Sequence, residues 1–145
     1  MATGPSTTFS ANTKIKSAEV NQNFLDAFPA ATTWSPTNTG FSVNPTQSAY
    51  YVVHGKLATV AVFTSVNGTS NSTAWTITNL PVTPAISMRF PTIAVYNNTF
   101  LQGEPGRIDI ASGSTTATLY KTGDGTPWTA SGDKGMGFLM TFPTT

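Results

Sequence analysis

Cysteine is absent from the 145 residues, and histidine occurs once. No disulfide can staple such a chain, and no thiolate is available as a nucleophile or metal ligand. Zinc and other transition metals need several imidazole or thiolate donors and find too few here, so no metal or other cofactor is expected. Charge is almost as scarce. Only 9% of residues are charged, against about 25% in typical soluble domains. Seven Lys and Arg face six acids for a net charge of +1, with no basic stripe to displace counterions from phosphates. Nucleic acid is therefore not an expected partner. No apolar run approaches a membrane span, and no heptad run could build a coiled-coil shaft. The opening Met1-Ala2-Thr3-Gly4-Pro5-Ser6 has neither the basic start nor the apolar stretch of a secretory leader, which points to a chain made in a cytoplasm.

What remains is one domain's worth of residues, 39% of them hydrophobic, whose polar positions are filled by Thr, Ser and Asn. A surface so weakly charged repels its own copies little, and assembly is expected over a lone monomer. The densest β signal is Tyr50-Tyr51-Val52-Val53-His54-Gly55-Lys56-Leu57-Ala58-Thr59-Val60-Ala61-Val62-Phe63-Thr64. Its apolar content is too continuous for a strand washed by solvent on one side. His54-Gly55-Lys56 reads as a turn between two antiparallel strands, 50–53 and 57–64, or as a bulge in one long strand.

Before it, residues 1–12 show no periodicity and read as an extended arm. A short helix follows, with Ser17 as N-cap, Glu19 in the first turn and Pro29 as the stop. Val20, Phe24 and Phe28 recur every four residues and form one apolar stripe that must dock on the sandwich or on copies of itself. Residues 31–48, rich in turn formers and anchored by Trp34 and Phe41, read as a linker. After it, residues 67–73 read as a loop, 75–78 as an alternating strand, and 86–90, between Pro84 and Pro91, as an edge strand. Residues 92–96 turn at Asn97-Asn98 into Thr99-Phe100-Leu101. Residues 107–110 and 116–120 form a hairpin, 122–135 a Gly-rich loop, and 137–142 the last strand. The predicted class is all-β: an antiparallel β-sandwich or jelly-roll-like domain over 49–145, preceded by an arm and helix (1–30) and the linker (31–48).

Chemistry finds little purchase. With a lone His54 beside a turn, a hydrogen-bonded structural role is expected over that of a catalytic base. Glu104 with Asp109, or Asp124 with Asp133, could pair for glycoside hydrolysis. All four sit in or beside Gly-containing segments where acids commonly form turns, so no enzyme is expected. Trp75, Tyr96, Phe63 and Phe138 read as core. Trp34 and Trp128, in linker and loop, are candidates for stacking on a sugar or anchoring an interface, with lidding of the sandwich as the alternative for Trp128.

The run Phe9-Ser10-Ala11-Asn12-Thr13-Lys14-Ile15-Lys16-Ser17-Ala18-Glu19-Val20-Asn21-Gln22-Asn23-Phe24 resembles an N-terminal pattern of tailed-bacteriophage virion proteins, in which Val-Asn-x-Asn-Phe opens the first helix. Tyr50-Tyr51 through Gly55-Lys56-Leu57, Gly68-Thr69-Ser70-Asn71-Ser72-Thr73 and Leu80-Pro81-Val82 are similar to β-rich domains of the same proteins. Together these motifs touch about half the chain. The resemblance implies a homotrimer of β-sandwich domains located in the virion. Two roles follow: a capsid cement or decoration protein bound to the major capsid protein, or a tail-fibre module recognising host surface glycan. An arm, one helix and one β domain without a shaft suit the capsid role better. In that reading Phe9 and Ile15 anchor the arm in grooves of the shell, Lys14 and Lys16 meet an acidic rim, and Val20, Phe24 and Phe28 form the oligomer interface.

Overall fold

The computed structural model describes residues 29–98 and 100–145. The arm residues Phe9, Lys14, Ile15 and Lys16, and the helix stripe Val20, Phe24 and Phe28, lie outside the described residues. Those described form thirteen strands in two antiparallel sheets, with no helix among them. The strands are β1 (Thr32–Thr33), β2 (Asn38–Thr39), β3 (Phe41–Val43), β4 (Thr46–His54), β5 (Leu57–Val66), β6 (Gly68–Ser70) and β7 (Trp75–Ile77). They continue as β8 (Met88–Pro91), β9 (Ala94–Asn97), β10 (Phe100–Leu101), β11 (Arg107–Ile110), β12 (Ala117–Tyr120) and β13 (Asp133–Pro143).

Sheet A is built on a long hairpin. β4 and β5 pair from Gln47↔Thr64 to His54↔Leu57 around a two-residue turn, where Gly55 takes a φ of 60°. A glycine with positive φ at the first turn position suits the strand twist, so the run from Tyr50 is two strands and not one. Past Val66 the pairing resumes after a bulge as β3 with β6. β5 and β6 follow one another along one edge of β13, while β9 pairs the other edge and carries β10. β1 closes the far side by pairing β4, with Thr33 opposite Tyr50. Sheet B runs β2-β7-β12-β11-β8, and β8 is one of its two edge strands, as the flanking prolines imply.

The chain crosses between the sheets repeatedly. Among the described residues it does so six times, at β1–β2, β2–β3, β6–β7, β8–β9, β10–β11 and β12–β13; Trp34 lies in the first of these crossings and Thr92 in the fourth. Between the sheets lie Val60 and Val62 of β5, Met136, Phe138, Met140 and Phe142 of β13, Trp75 and Ile77 of β7, Ile108 and Ile110 of β11, and Leu119 of β12. Their spacing of two along each strand puts them all on one face. Burying each large side chain contributes roughly 1.5–3 kcal/mol. An aromatic row reinforces one end: Phe41 meets Trp75 edge-on at 4.9 Å, and Trp75 meets Trp128 at 5.2 Å.

Four expectations are corrected. Residues 31–48 are not a linker, because they supply β1, β2, β3 and the start of β4. The loop expected over 67–73 contains β6. The last strand begins at Asp133, inside the stretch read as a Gly-rich loop. Phe63 and Tyr96 are not core: Phe63 is 47% exposed, because Val60 and Val62 take the inward parity of β5, and Tyr96 is half-buried on the parity opposite to the inward Val95 of β9.

Candidate functional site

The same parity that fills the core decides what the two outer faces carry. On β5 the outward positions are Leu57, Thr59, Ala61 and Phe63, and on β13 they are Gly137, Leu139, Thr141 and Pro143. Register aligns them in rows with β4: Ser48–Phe63–Gly137, Tyr50–Ala61–Leu139, Val52–Thr59–Thr141 and His54–Leu57–Pro143. Ala94 of β9 extends the first row. Tyr50, Leu57, Phe63 and Leu139 are 46%, 53%, 47% and 52% exposed, and Ile93 beside them is 62% exposed.

The relief of this face follows from side-chain size. A Cβ built at Gly137 would stand 3.3 Å from the Phe63 ring and 3.8 Å from Ala94 Cβ, so the ring leans across the bare backbone of β13. Ala61, Gly137 and Ala94 form a shallow floor between Tyr50, Phe63 and Leu139. The polar pair Thr59 and Thr141 satisfy one another across strands at 3.0 Å. An apolar sheet face of this kind marks an interaction surface when it is left to water.

Sheet B presents the opposite chemistry. Arg89, Asp109, Thr118, Thr76 and Thr39 form one row across five strands. Arg107 holds Asp109 through two bonds of 2.8 and 3.0 Å and lies over the Tyr120 ring at 4.6 Å. Arg89 approaches the same carboxylate at 3.5 Å, and the hydroxyls of Thr39 and Thr76 meet at 2.6 Å. These polar groups are satisfied within the sheet, which suits a face turned to solvent.

A cavity of about 670 Å³ opens at the β4–β5 turn, lined by Tyr51, Val53, Lys56, Leu80, Val82 and Thr115 among others. Its volume lies in the ordinary range for small-ligand clefts.

The acids proposed as pairs are engaged separately. Asp109 belongs to the arginines of sheet B, and Asp133 accepts from the Thr69 hydroxyl at 3.2 Å. Asp124 accepts from the hydroxyls of Thr122 and Thr126 and from the Thr126 amide. These bonds, the Thr122 hydroxyl foremost, lower its pKa to about 2. His54 lies at the end of β4 and is exposed. Among the described residues no three His, Asp or Glu side chains gather as a metal site.

Trp128 is 2% exposed, and its indole Nε1 donates to the Leu119 carbonyl at 2.8 Å. Trp34 is half-buried against the core with its Nε1 enclosed and unmatched among the described residues. One residue that the sequence reading passed over is Lys134. It is buried on the inward face of β13, and its ammonium donates to Asn97 Oδ1 at 2.5 Å and Asn98 Oδ1 at 3.1 Å. Burial holds its pKa below the ordinary value. Asn98, with a φ of 53°, is thereby pinned in the left-handed turn between β9 and β10. The signal was available, because Lys134 shares parity with Met136, Phe138, Met140 and Phe142.

Compared with known proteins, the chain matches no family model, no curated protein and no solved structure.

Proposed function

We propose that this chain is a non-enzymatic structural protein of a tailed-bacteriophage virion, a capsid cement or decoration protein that binds the outer shell as a homotrimer and stabilises the head. The observation that carries the reading is the contrast between the outward faces. Sheet A offers Tyr50, Phe63 and Leu139 in an apolar field, whereas sheet B offers hydrogen-bonded arginine, aspartate and threonine. A subunit built into a larger body needs one face to bury and one to keep wet. The net charge of +1 lets many copies sit close together on a shell without strong repulsion. In this reading Phe9, Lys14, Ile15 and Lys16 reach the major capsid protein, the two apolar residues as anchors for grooves and the lysines for an acidic rim.

One feature favours a second reading, a tail-fibre module that recognises host surface glycan. The cavity at the β4–β5 turn combines the Tyr51 ring with the hydroxyl-bearing residues Thr83, Thr115 and Thr145, a mixture suited to a sugar ring. Copy number in purified particles separates the two. Quantitative mass spectrometry is expected to count the chain in amounts comparable to the major capsid protein. A handful of copies per particle would assign it to the tail, and its absence from particles would overturn both readings.

A further inference from the structure

We infer that the cavity at the β4–β5 turn is a binding site for an N-acetylated hexose. The acetyl methyl lies against Val53, Leu80 and Val82, and the amide and ring hydroxyls meet Lys56, Thr115 and Thr144. Such a site rests on the sugar reading of this cavity, and it belongs to the chain whether shell or tail carries it.

Four segments build the walls: the β4–β5 turn, the β7–β8 and β11–β12 connections, and the residues after β13. Backbone hydrogen bonds tie them together. The Thr144 amide donates to the Lys56 carbonyl at 2.8 Å, and the Leu80 amide donates to the Thr115 carbonyl at 2.9 Å. The Ala85 amide donates to the Pro143 carbonyl at 2.8 Å, and Pro84 bridges to Thr144. A cleft framed in this way is largely formed before a ligand arrives, so binding orders little of the protein.

The frame leaves the polar ends of its side chains unused. The Tyr51 phenol, the Thr115 and Thr144 hydroxyls and the Lys56 ammonium have no hydrogen-bond or ion-pair partner among the described residues. Of the lining hydroxyls, those of Thr83 and Thr145 do pair, at 2.9 Å. On the outer faces of the sheets, by contrast, Thr59 meets Thr141 and Thr39 meets Thr76. Four unused groups around one cavity suit a ligand that brings its own donors and acceptors.

The rest of the wall is apolar. Tyr51 and Val53 share the inward parity of Ala49 on β4, and the buried Leu80 with Pro81 and Val82 completes the surface. A plain hexose carries a hydroxyl at nearly every carbon, and pressing one onto this wall strips it of water without replacing the bond. An acetamido group instead offers the wall a methyl and carries a carbonyl and an N–H beside it. The carbonyl matches the Lys56 ammonium, which only donates, and the N–H matches a threonine hydroxyl, which accepts. No acidic side chain lines the cavity to claim Lys56. The Tyr51 ring supplies an apolar face with a polar tip for the sugar ring.

Amide NMR titrations of the isotope-labelled full chain test the site, with N-acetylglucosamine, N-acetylgalactosamine, glucose and the 6-deoxyhexose rhamnose as probes. We expect an N-acetylated sugar to shift the amides of Tyr51, Leu80 and Thr115 with a Kd on the order of 1 mM. Glucose, without the methyl, and rhamnose, with a methyl but no amide, are expected to bind at least about tenfold more weakly. Thr115→Val keeps the size of an exposed side chain and removes its hydroxyl, and it should weaken the N-acetylated sugar about three- to tenfold. Thr118→Val, on the outer face of sheet B, should leave the affinity unchanged. Glucose or rhamnose binding in the cavity as tightly as the N-acetylated sugars would overturn the assignment and leave the sugar reading standing. Shifts at the cavity with none of the four would overturn both. An affinity untouched by Thr115→Val, in a protein that melts with the wild type, would overturn the site as drawn. No particle enters these measurements, so the capsid reading stands or falls apart from them.

Discussion

Replacing Trp128 separates an aromatic ring that holds the fold from one that meets a partner. The ring is 2% exposed, lies 5.2 Å from Trp75, and bonds the Leu119 carbonyl at 2.8 Å. Its own backbone amide donates to Thr73 at 3.1 Å, tying the Gly-rich loop to the end of the sandwich. Trp128→Ala removes a large buried ring from that end and leaves a cavity, a change that costs about 3–5 kcal/mol. Trp128→Phe keeps most of the apolar contact but strips the Leu119 carbonyl of the indole donor, at about 1–3 kcal/mol. For a chain of this length each kcal/mol lowers Tm by roughly 3 °C. Thermal melts followed by circular dichroism should therefore place Trp128→Ala roughly 10–15 °C below wild type, with Trp128→Phe between them. A Trp128→Ala protein that melts with the wild type, yet fails to bind particles or glycan, would refute the assignment. The ring would then have to be exposed in the working protein.

Two further substitutions probe features set by close packing. Burial depresses the Lys134 pKa below 10.5, so between the folded pKa and that value the unfolded chain binds more protons and stability rises with pH. Lys134→Met should abolish this alkaline gain, seen as a flatter dependence of urea midpoint on pH, and equal slopes in the two proteins would refute it. Gly68 stands where the two bulged strands press together. An added Cβ would fall 2.5 Å from the Pro45 nitrogen and 2.6 Å from the Val43 carbonyl oxygen. Gly68→Ala should cost about 1–3 kcal/mol or more by denaturant titration, and an unchanged midpoint would show that the bulge relaxes freely.

Strands with their own β-forming residues were legible: the hairpin around Gly55, the pair β11 and β12, and β7 with Trp75 and Ile77 inward. The strands that escaped are those made by distant partners. Asn67-Gly68-Thr69-Ser70-Asn71 has the composition of a loop, yet Gly68 pairs Lys134 and Thr69 pairs Asp133. Nothing local announces that pairing, because it depends on β13 arriving from the far end of the chain. Thr32 and Thr33 are strand only because Tyr50 and Tyr51 offer an edge, and Asn38 and Thr39 only because β7 does. Propensity is a weak guide wherever a sheet edge recruits short polar segments.

The misplacement of Phe63 came from treating each aromatic residue in a strand as core without following the alternation. Ala58, Val60 and Val62 already fill the inward side of β5, so Leu57, Ala61 and Phe63 must point away. A strand apolar on both sides is ordinarily one covered on both sides. In this sandwich, sheet B covers only the inner side of β5 and β13. The outward Leu57, Ala61, Phe63 and Leu139 therefore call for a second layer, whose source lies outside the described residues or outside the chain. The unbroken apolar run from Val60 to Phe63 was the readable trace of that layer. Its seat, with Phe63 leaning over Gly137 and Tyr50 at the rim, became visible only when register set the strands side by side.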